Sequence, residues 1–106
     1  MLDSAKAVQE FTRGVSLEQY RINRLLRRGV EREMEILGEA AHRLTEELRS
    51  EHPEIPWRRI IGPRNLIAHG YDAVDDERVW RIATEDAPSL VTQLEGLVPP
   101  VNEQHD

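Results

Sequence analysis

Between Leu26 and Leu48 apolar residues return every three or four positions: Leu26, Val30, Met34, Leu37, Ala41, Leu44 and Leu48, with Leu25, Ile36 and Ala40 widening the stripe. That spacing is the period of an α-helix with one apolar face. A strand cannot use it, because its side chains change sides at every residue. The stretch predicts one long helix of about six turns, with Asn23 and Gly29 as the places where it can kink.

The rest of the chain reads as helices around this one. Ala5, Val8 and Phe11 give a first helix over residues 2–12, stopped by Gly14. Ser16 followed by Gln19 is a capping-box signature, so a second helix starts at Leu17 and leads into the long stripe. Pro53 and Pro56 bracket a connection, and residues 57–61 read as a short helical turn. Gly62-Pro63 is expected to interrupt it, with Pro63 opening a short helix that carries Arg64 to His69 and ends at Gly70. Asp75 or Asp76 can cap the last helix, through Val79, Trp80, Ile82 and Ala83. A break is expected near Asp86-Ala87-Pro88, before Leu90, Val91, Leu94, Leu97 and Val98. Pro99-Pro100 ends it. No segment alternates as a strand would. The expectation is an all-α domain over residues 1–98, an antiparallel four-helix-type bundle with a short motif-bearing helix before the last one, and a polar tail over 99–106.

Several chemistries drop out. At 106 residues there is room for one domain and one core. The chain has no cysteine, which removes disulfides, thiolate nucleophiles and cysteine zinc sites. No apolar run approaches the roughly 20 residues of a membrane span, and the N-terminus lacks a signal pattern, so a cytoplasmic protein with no membrane partner is expected. His42, His52 and His105 share no metal-ligand spacing, and neither a metal nor another cofactor is expected. The aromatics, 5% of the chain, are too scattered for a base-stacking platform, and Trp57 and Trp80 read as packing anchors. A net charge of −6 argues against coating nucleic acid with the whole surface. Two basic islands stand out nonetheless. Arg21, Arg24, Arg27, Arg28 and Arg32 face the single acid Glu31 within residues 21–32, and Arg58, Arg59 and Arg64 have no acid among residues 57–71. The first island is either an RNA track or the solvated face of a helix near glutamates; the solvated face is the expectation.

The second island leads into the octapeptide Arg64-Asn65-Leu66-Ile67-Ala68-His69-Gly70-Tyr71. On a regular helix Arg64 and His69 sit about 140° apart, whereas Asn65 and His69 share a face. One copy lines a shallow patch. Two copies across a twofold axis would bring two arginines and two histidines into one cleft, which suits phosphodiester chemistry. An imidazole exchanges protons at neutral pH, and a guanidinium holds the charge that builds on a phosphorane. The structural alternative is equally concrete: a histidine at a helix C-terminus can serve the last carbonyls, and Arg64 can pair with a neighbouring acid. Glu39 on the long helix is either an inward carboxylate that orients Arg64 or His69, or half of a buried or half-buried ion pair with an arginine.

Context extends the octapeptide. Residues 35–41, Glu-Ile-Leu-Gly-Glu-Ala-Ala, are followed by Pro53-Glu54-Ile55-Pro56-Trp57, Ile61-Gly62, Arg64-Asn65, His69-Gly70-Tyr71 and Val79-Trp80. In this order and spacing, from about residue 2 to 98, the chain resembles the HEPN superfamily and within it the HepT-like ribonuclease toxins. The resemblance implies a homodimer with its Arg-to-His motifs at the interface and metal-independent endoribonuclease activity on RNA. Arg64 and His69 would be the catalytic pair, Asn65 and Glu39 supporting residues, and Tyr71 the last residue of the motif. The implied partner is a minimal nucleotidyltransferase antitoxin that transfers AMP to Tyr71. Two departures stand beside the resemblance: Pro63 replaces a larger apolar residue, and Asp72 stands where an aromatic is frequent. They fit the competing reading, a helical interaction module that binds a nucleotidyltransferase with little activity of its own.

Overall fold

The computed structural model describes the backbone of residues 1–68 and 75–97 and the side chains of 1–62 and 75–97. All regular structure among these residues is helical, with no strand. Helix α1 (Leu2–Thr12) ends where Arg13 turns extended and Gly14 takes φ +72°, a left-handed conformation that glycine adopts without cost. Helix α2 (Leu17–Ile22) opens on the expected capping box: the Gln19 N–H donates to Ser16 Oγ at 3.1 Å, and the Ser16 N–H donates to Gln19 Oε1 at 2.9 Å.

The single long helix expected through Leu48 is divided into α2, α3 (Arg24–His42) and α4 (Glu46–Ser50). At Asn23 the backbone is extended and the side chain accepts from the Leu26 N–H at 2.9 Å. At Thr45 the same device recurs, with Oγ1 accepting from the Leu48 N–H at 3.1 Å and Glu46 and Glu47 in the first turn. Each cap satisfies an orphan donor of the new helix, and the two glutamates favour its positive end, so restarting costs little. Gly29 lies inside α3. The helix buries the line Val30, Met34, Leu37 and Ala41, while Leu25 and Ile36 are exposed.

Helix α5 (Trp57–Ala68) is a second departure, for it runs through Gly62-Pro63 without the expected interruption. A proline disfavours helix in the residue before it through clashes with that residue's Cβ; glycine has no Cβ and relieves much of that restraint. The last long helix consists of α6 (Asp76–Arg81), a π-helical turn (Ile82–Asp86) and α7 (Ala87–Leu97). Asp75 is its cap, accepting from the Arg78 N–H at 3.2 Å. The break expected near Asp86-Ala87-Pro88 is the wide turn itself: Pro88 has no N–H to offer backward, and a π turn absorbs the mismatch without ending the helix. The expected stop at Pro99-Pro100 and the tail over 99–106 lie outside the described residues.

Packing fixes two adjoining apolar clusters. One joins Ala5, Leu37, Ala41, Ile55, Ile60, Leu90, Val91 and Leu94; the other joins Val8, Tyr20, Val30, Met34, Val79, Ile82, Ala83 and Ala87. Each fully buried valine, leucine or isoleucine among them contributes roughly 1.5–3 kcal/mol by leaving water. Helix α3 takes part in both and packs most extensively against α5. The tryptophans anchor as expected. Trp57 packs on the first cluster and donates its Nε1–H to the carbonyls of Arg49 and His52, both at 3.0 Å; Trp80 packs on the second and donates to Val15 at 2.9 Å.

Candidate active site

Helix α5 carries the described part of the octapeptide, the backbone from Arg64 to Ala68. Its placement follows from its first turns. Trp57 is tied to the preceding turn, and Ile60 is buried with Leu37 and Ala41 of α3. Arg64 follows Ile60 by one helical turn, so its Cα lies toward the side of α5 that meets α3. His69 and Tyr71, with Gly70 and Asp72, lie outside the described residues, as does His105.

Glu39 is exposed on α3. The buried line of that helix runs through Leu37 and Ala41, and position 39 falls about 200° from each of them around the axis. A role beside Arg64 or His69 would therefore be exercised at the surface of the chain.

The charged surroundings of α5 separate into paired and unpaired cations. Arg59 Nε lies 2.8 Å from Asp86 Oδ2, tying the helix to the π turn. Arg58 is exposed, and no carboxylate among the described residues lies within 4 Å of it. Gly62 is exposed too, and a Cβ built on it would meet the Arg78 guanidinium at 3.8 Å. The basic island over residues 21–32 is, as expected, largely a solvated and compensated face. Arg28 pairs with Glu31 at 3.1 Å, Arg32 with Glu35 at 3.5 Å, Arg21 with Glu77 at 3.7 Å and Arg27 with Asp76 at 3.9 Å.

Behind that island sits Tyr20, fully buried, with a hydroxyl that has no hydrogen-bond partner among the described residues. Burial raises its pKa well above the ordinary value near 10, and the carboxylates of Glu31 and Asp76 push the same way. Of the other histidines, His42 is exposed, while His52 is half-buried with Nδ1 3.4 Å from Glu54 Oε2. Among the described residues no cluster of three or more His, Asp or Glu side chains is arranged to hold a metal ion, and no helix is long and apolar enough to cross a membrane.

One residue near the site was not singled out by the sequence. Arg49, at the end of α4, is half-buried beside the start of α5, and its Nε has no partner among the described residues. Only the turn over residues 51–56 brings it there, and no local spacing announces that turn's path.

Sequence comparison relates the chain to known proteins. The chain is 34% identical over 95 residues to "Putative RNase MJ1380" of Methanocaldococcus jannaschii, covering 90% of this chain and 87% of that one. It is 34% identical over 95 residues to "Probable ribonuclease HepT" of Thermococcus cleftensis, covering 90% and 86%. It is 30% identical over 98 residues to "Putative RNase TTE0752" of Caldanaerobacter subterraneus subsp. tengcongensis, covering 92% and 88%. No solved structure matches the chain at the same stringency. The family described as "Ribonuclease HepT-like" matches residues 1–97, from the first turn of α1 to the last of α7, and the chain belongs to that HepT-like ribonuclease family of the HEPN superfamily.

Proposed function

We propose that this protein is the toxin of a toxin–antitoxin pair, a metal-independent endoribonuclease that acts as a homodimer. The observation that carries the reading is the family match over residues 1–97, which spans the whole of α5 and its Arg64-Asn65 pair. In the proposed reaction a ribose 2′-hydroxyl attacks the adjacent phosphorus. His69 of one protomer takes the hydroxyl proton, and the bond to the 5′-oxygen breaks as the other protomer's histidine protonates it. The products are a 2′,3′-cyclic phosphate and a 5′-hydroxyl. Both proton transfers suit an imidazole whose unperturbed pKa is near 6.5. The two Arg64 guanidiniums hold the charge that develops on the phosphorane, with Asn65 and Glu39 in support.

The same reading includes an off-switch. A minimal nucleotidyltransferase antitoxin would transfer AMP from ATP to the Tyr71 hydroxyl, releasing pyrophosphate. The added phosphate places negative charge and bulk beside the cleft, which repels RNA.

Cleavage of a labelled RNA in EDTA tests the catalytic half of this reading. The wild type should cut, and Arg64→Ala and His69→Ala should each lower the rate by at least about 100-fold, the usual scale of a general acid–base contribution. Wild-type cutting that stops in EDTA, or variants that cut as the wild type does, would overturn it. Sedimentation of the wild type as a monomer at the concentrations where it cuts would remove the dimer.

A further inference from the structure

A groove opens between the end of α4 and the first turn of α5. Arg49, Trp57, Arg58 and Arg59 line it, together with Pro56 and Glu46. Its wall is rigid. Trp57 is half-buried, and its indole nitrogen is committed to two backbone carbonyls across the turn, so one part of the ring system faces the core and the remainder is held in place at the groove. Its cations are only partly compensated, with Glu46 in the same lining. Arg59 is engaged with Asp86, but neither Arg49 nor Arg58 has a carboxylate within 4 Å among the described residues, and the buried Nε of Arg49 has no hydrogen-bond partner among them. A guanidinium without a carboxylate partner can grip a phosphate through its remaining N–H groups. An aromatic wall next to two free guanidiniums is the composition of a nucleotide subsite, with stacking on the ring and ion pairing at the phosphate.

Arg58 and Arg64 are on one helix, about 9 Å apart along its axis and about 120° apart around it, so a strand that touches both would wrap partway round α5. Building on the ribonuclease reading above, we propose that this groove binds a nucleotide of single-stranded RNA flanking the scissile phosphate, with Arg49 and Arg58 on the backbone phosphate and the base against Trp57. The acidic chain would then hold RNA by a local track rather than by its overall charge.

Binding of a 2′-O-methyl RNA 12-mer, which lacks the attacking hydroxyl, separates this subsite from catalysis. Its Kd is measured from 50 to 200 mM salt for the wild type, Arg58→Ala, Arg49→Ala/Arg58→Ala, and Arg13→Ala as a control on α1's exposed end. Arg58 is exposed, so its replacement leaves the fold intact. Each phosphate contact removed should lower the slope of log K against log salt by about 0.7, and Arg58→Ala should weaken binding about 5- to 10-fold, with a larger loss for the double variant. With cleavable RNA, Arg58→Ala should raise KM and leave kcat unchanged. The subsite is overturned if the wild type does not bind the 12-mer, or if Arg58→Ala matches Arg13→Ala in affinity and slope. It is also overturned if Arg58→Ala loses a co-purifying protein partner while its RNA affinity is unchanged. Failure of the ribonuclease reading looks different: the wild type would bind the 12-mer and leave unmodified RNA whole.

Discussion

Replacing Pro63 by alanine should make the protein more stable, and the size of the effect follows from where α5 begins and ends. The helix runs from Trp57 to Ala68, so position 63 lies in its interior, where the missing N–H leaves the Arg59 carbonyl without its helical donor. An interior proline costs about 3 kcal/mol relative to alanine. Removing it also loosens the unfolded chain by about 0.4–1 kcal/mol, which works the other way. A net gain of about 2 kcal/mol remains, equivalent to about 8–16 °C in Tm for a domain of this size. The sharper test is the neighbour. Gly62→Ala meets only the Arg78 guanidinium at an ordinary 3.8 Å, so space is no obstacle. With Pro63 present, however, the new Cβ clashes with the proline ring in a helical backbone. Alone, Gly62→Ala should therefore gain little. In the Pro63→Ala background it should gain about 1 kcal/mol, the usual helix preference of alanine over glycine. Urea denaturation of the wild type, both single variants and the double variant, at one protein concentration, reads the coupling directly. Additivity within about 0.3 kcal/mol, or a destabilised Pro63→Ala, would refute the account of how this helix passes through Gly62-Pro63.

Three further outcomes are expected. Tyr20→Phe removes a buried hydroxyl without a partner and should stabilise by about 1 kcal/mol at neutral pH. Because the folded-state pKa of Tyr20 lies above its unfolded value, the unfolded chain loses this proton first. Stability from this group is complete below pH 10 and falls as pH rises beyond it; denaturation midpoints of the phenylalanine variant should show less of that decline. Thr45→Ala should cost about 1 kcal/mol through loss of the α4 cap, while Thr45→Ser costs little; equal losses in thermal melts would show that the hydroxyl does not cap. Intact-mass analysis of protein made beside a minimal nucleotidyltransferase should show added AMP that is absent from Tyr71→Phe, and a shift that survives in that variant would move the modification elsewhere.

Local signals were legible in the sequence wherever the responsible atoms are close along the chain. The Ser16–Gln19 box, the Gly14 stop and the Asp75 cap are all settled within three or four residues, and each occurs as read. The long stripe misled because period and continuity are different properties. Leu44 and Leu48 keep the helical spacing across a break that Thr45, Glu46 and Glu47 create, and the cap signature was there to be seen behind the stronger apolar pattern. Pro63 misled in the opposite sense, since its restraint acts on the preceding residue and that residue is glycine. Partners three apart, such as Arg28 with Glu31 and Arg32 with Glu35, could be anticipated. Those of Arg21 and Arg27 on α6 could not, because they depend on how two distant helices pack. At the candidate site the sequence supplied Arg64 and Asn65 on a helix, whereas the exposure of Glu39 depends on which neighbours cover α3, which local spacing does not announce.

The π turn over residues 82–86 makes the two halves of the last helix interdependent in length as well as in shape. Val79, Ile82 and Ala83 on one side serve the second cluster, whereas Leu90, Val91 and Leu94 on the other serve the first. A chain shortened by one residue within that turn would close an ordinary helix and keep the register beyond it, because the wide turn absorbs one extra residue, whereas a second loss or a gain would swing everything beyond by about 100° about the axis. Leu90 and Leu94 would turn away from Ala5 and Leu37, and charged positions would take their places. Substitutions in this stretch should therefore be better tolerated than the gain of one residue or the loss of two.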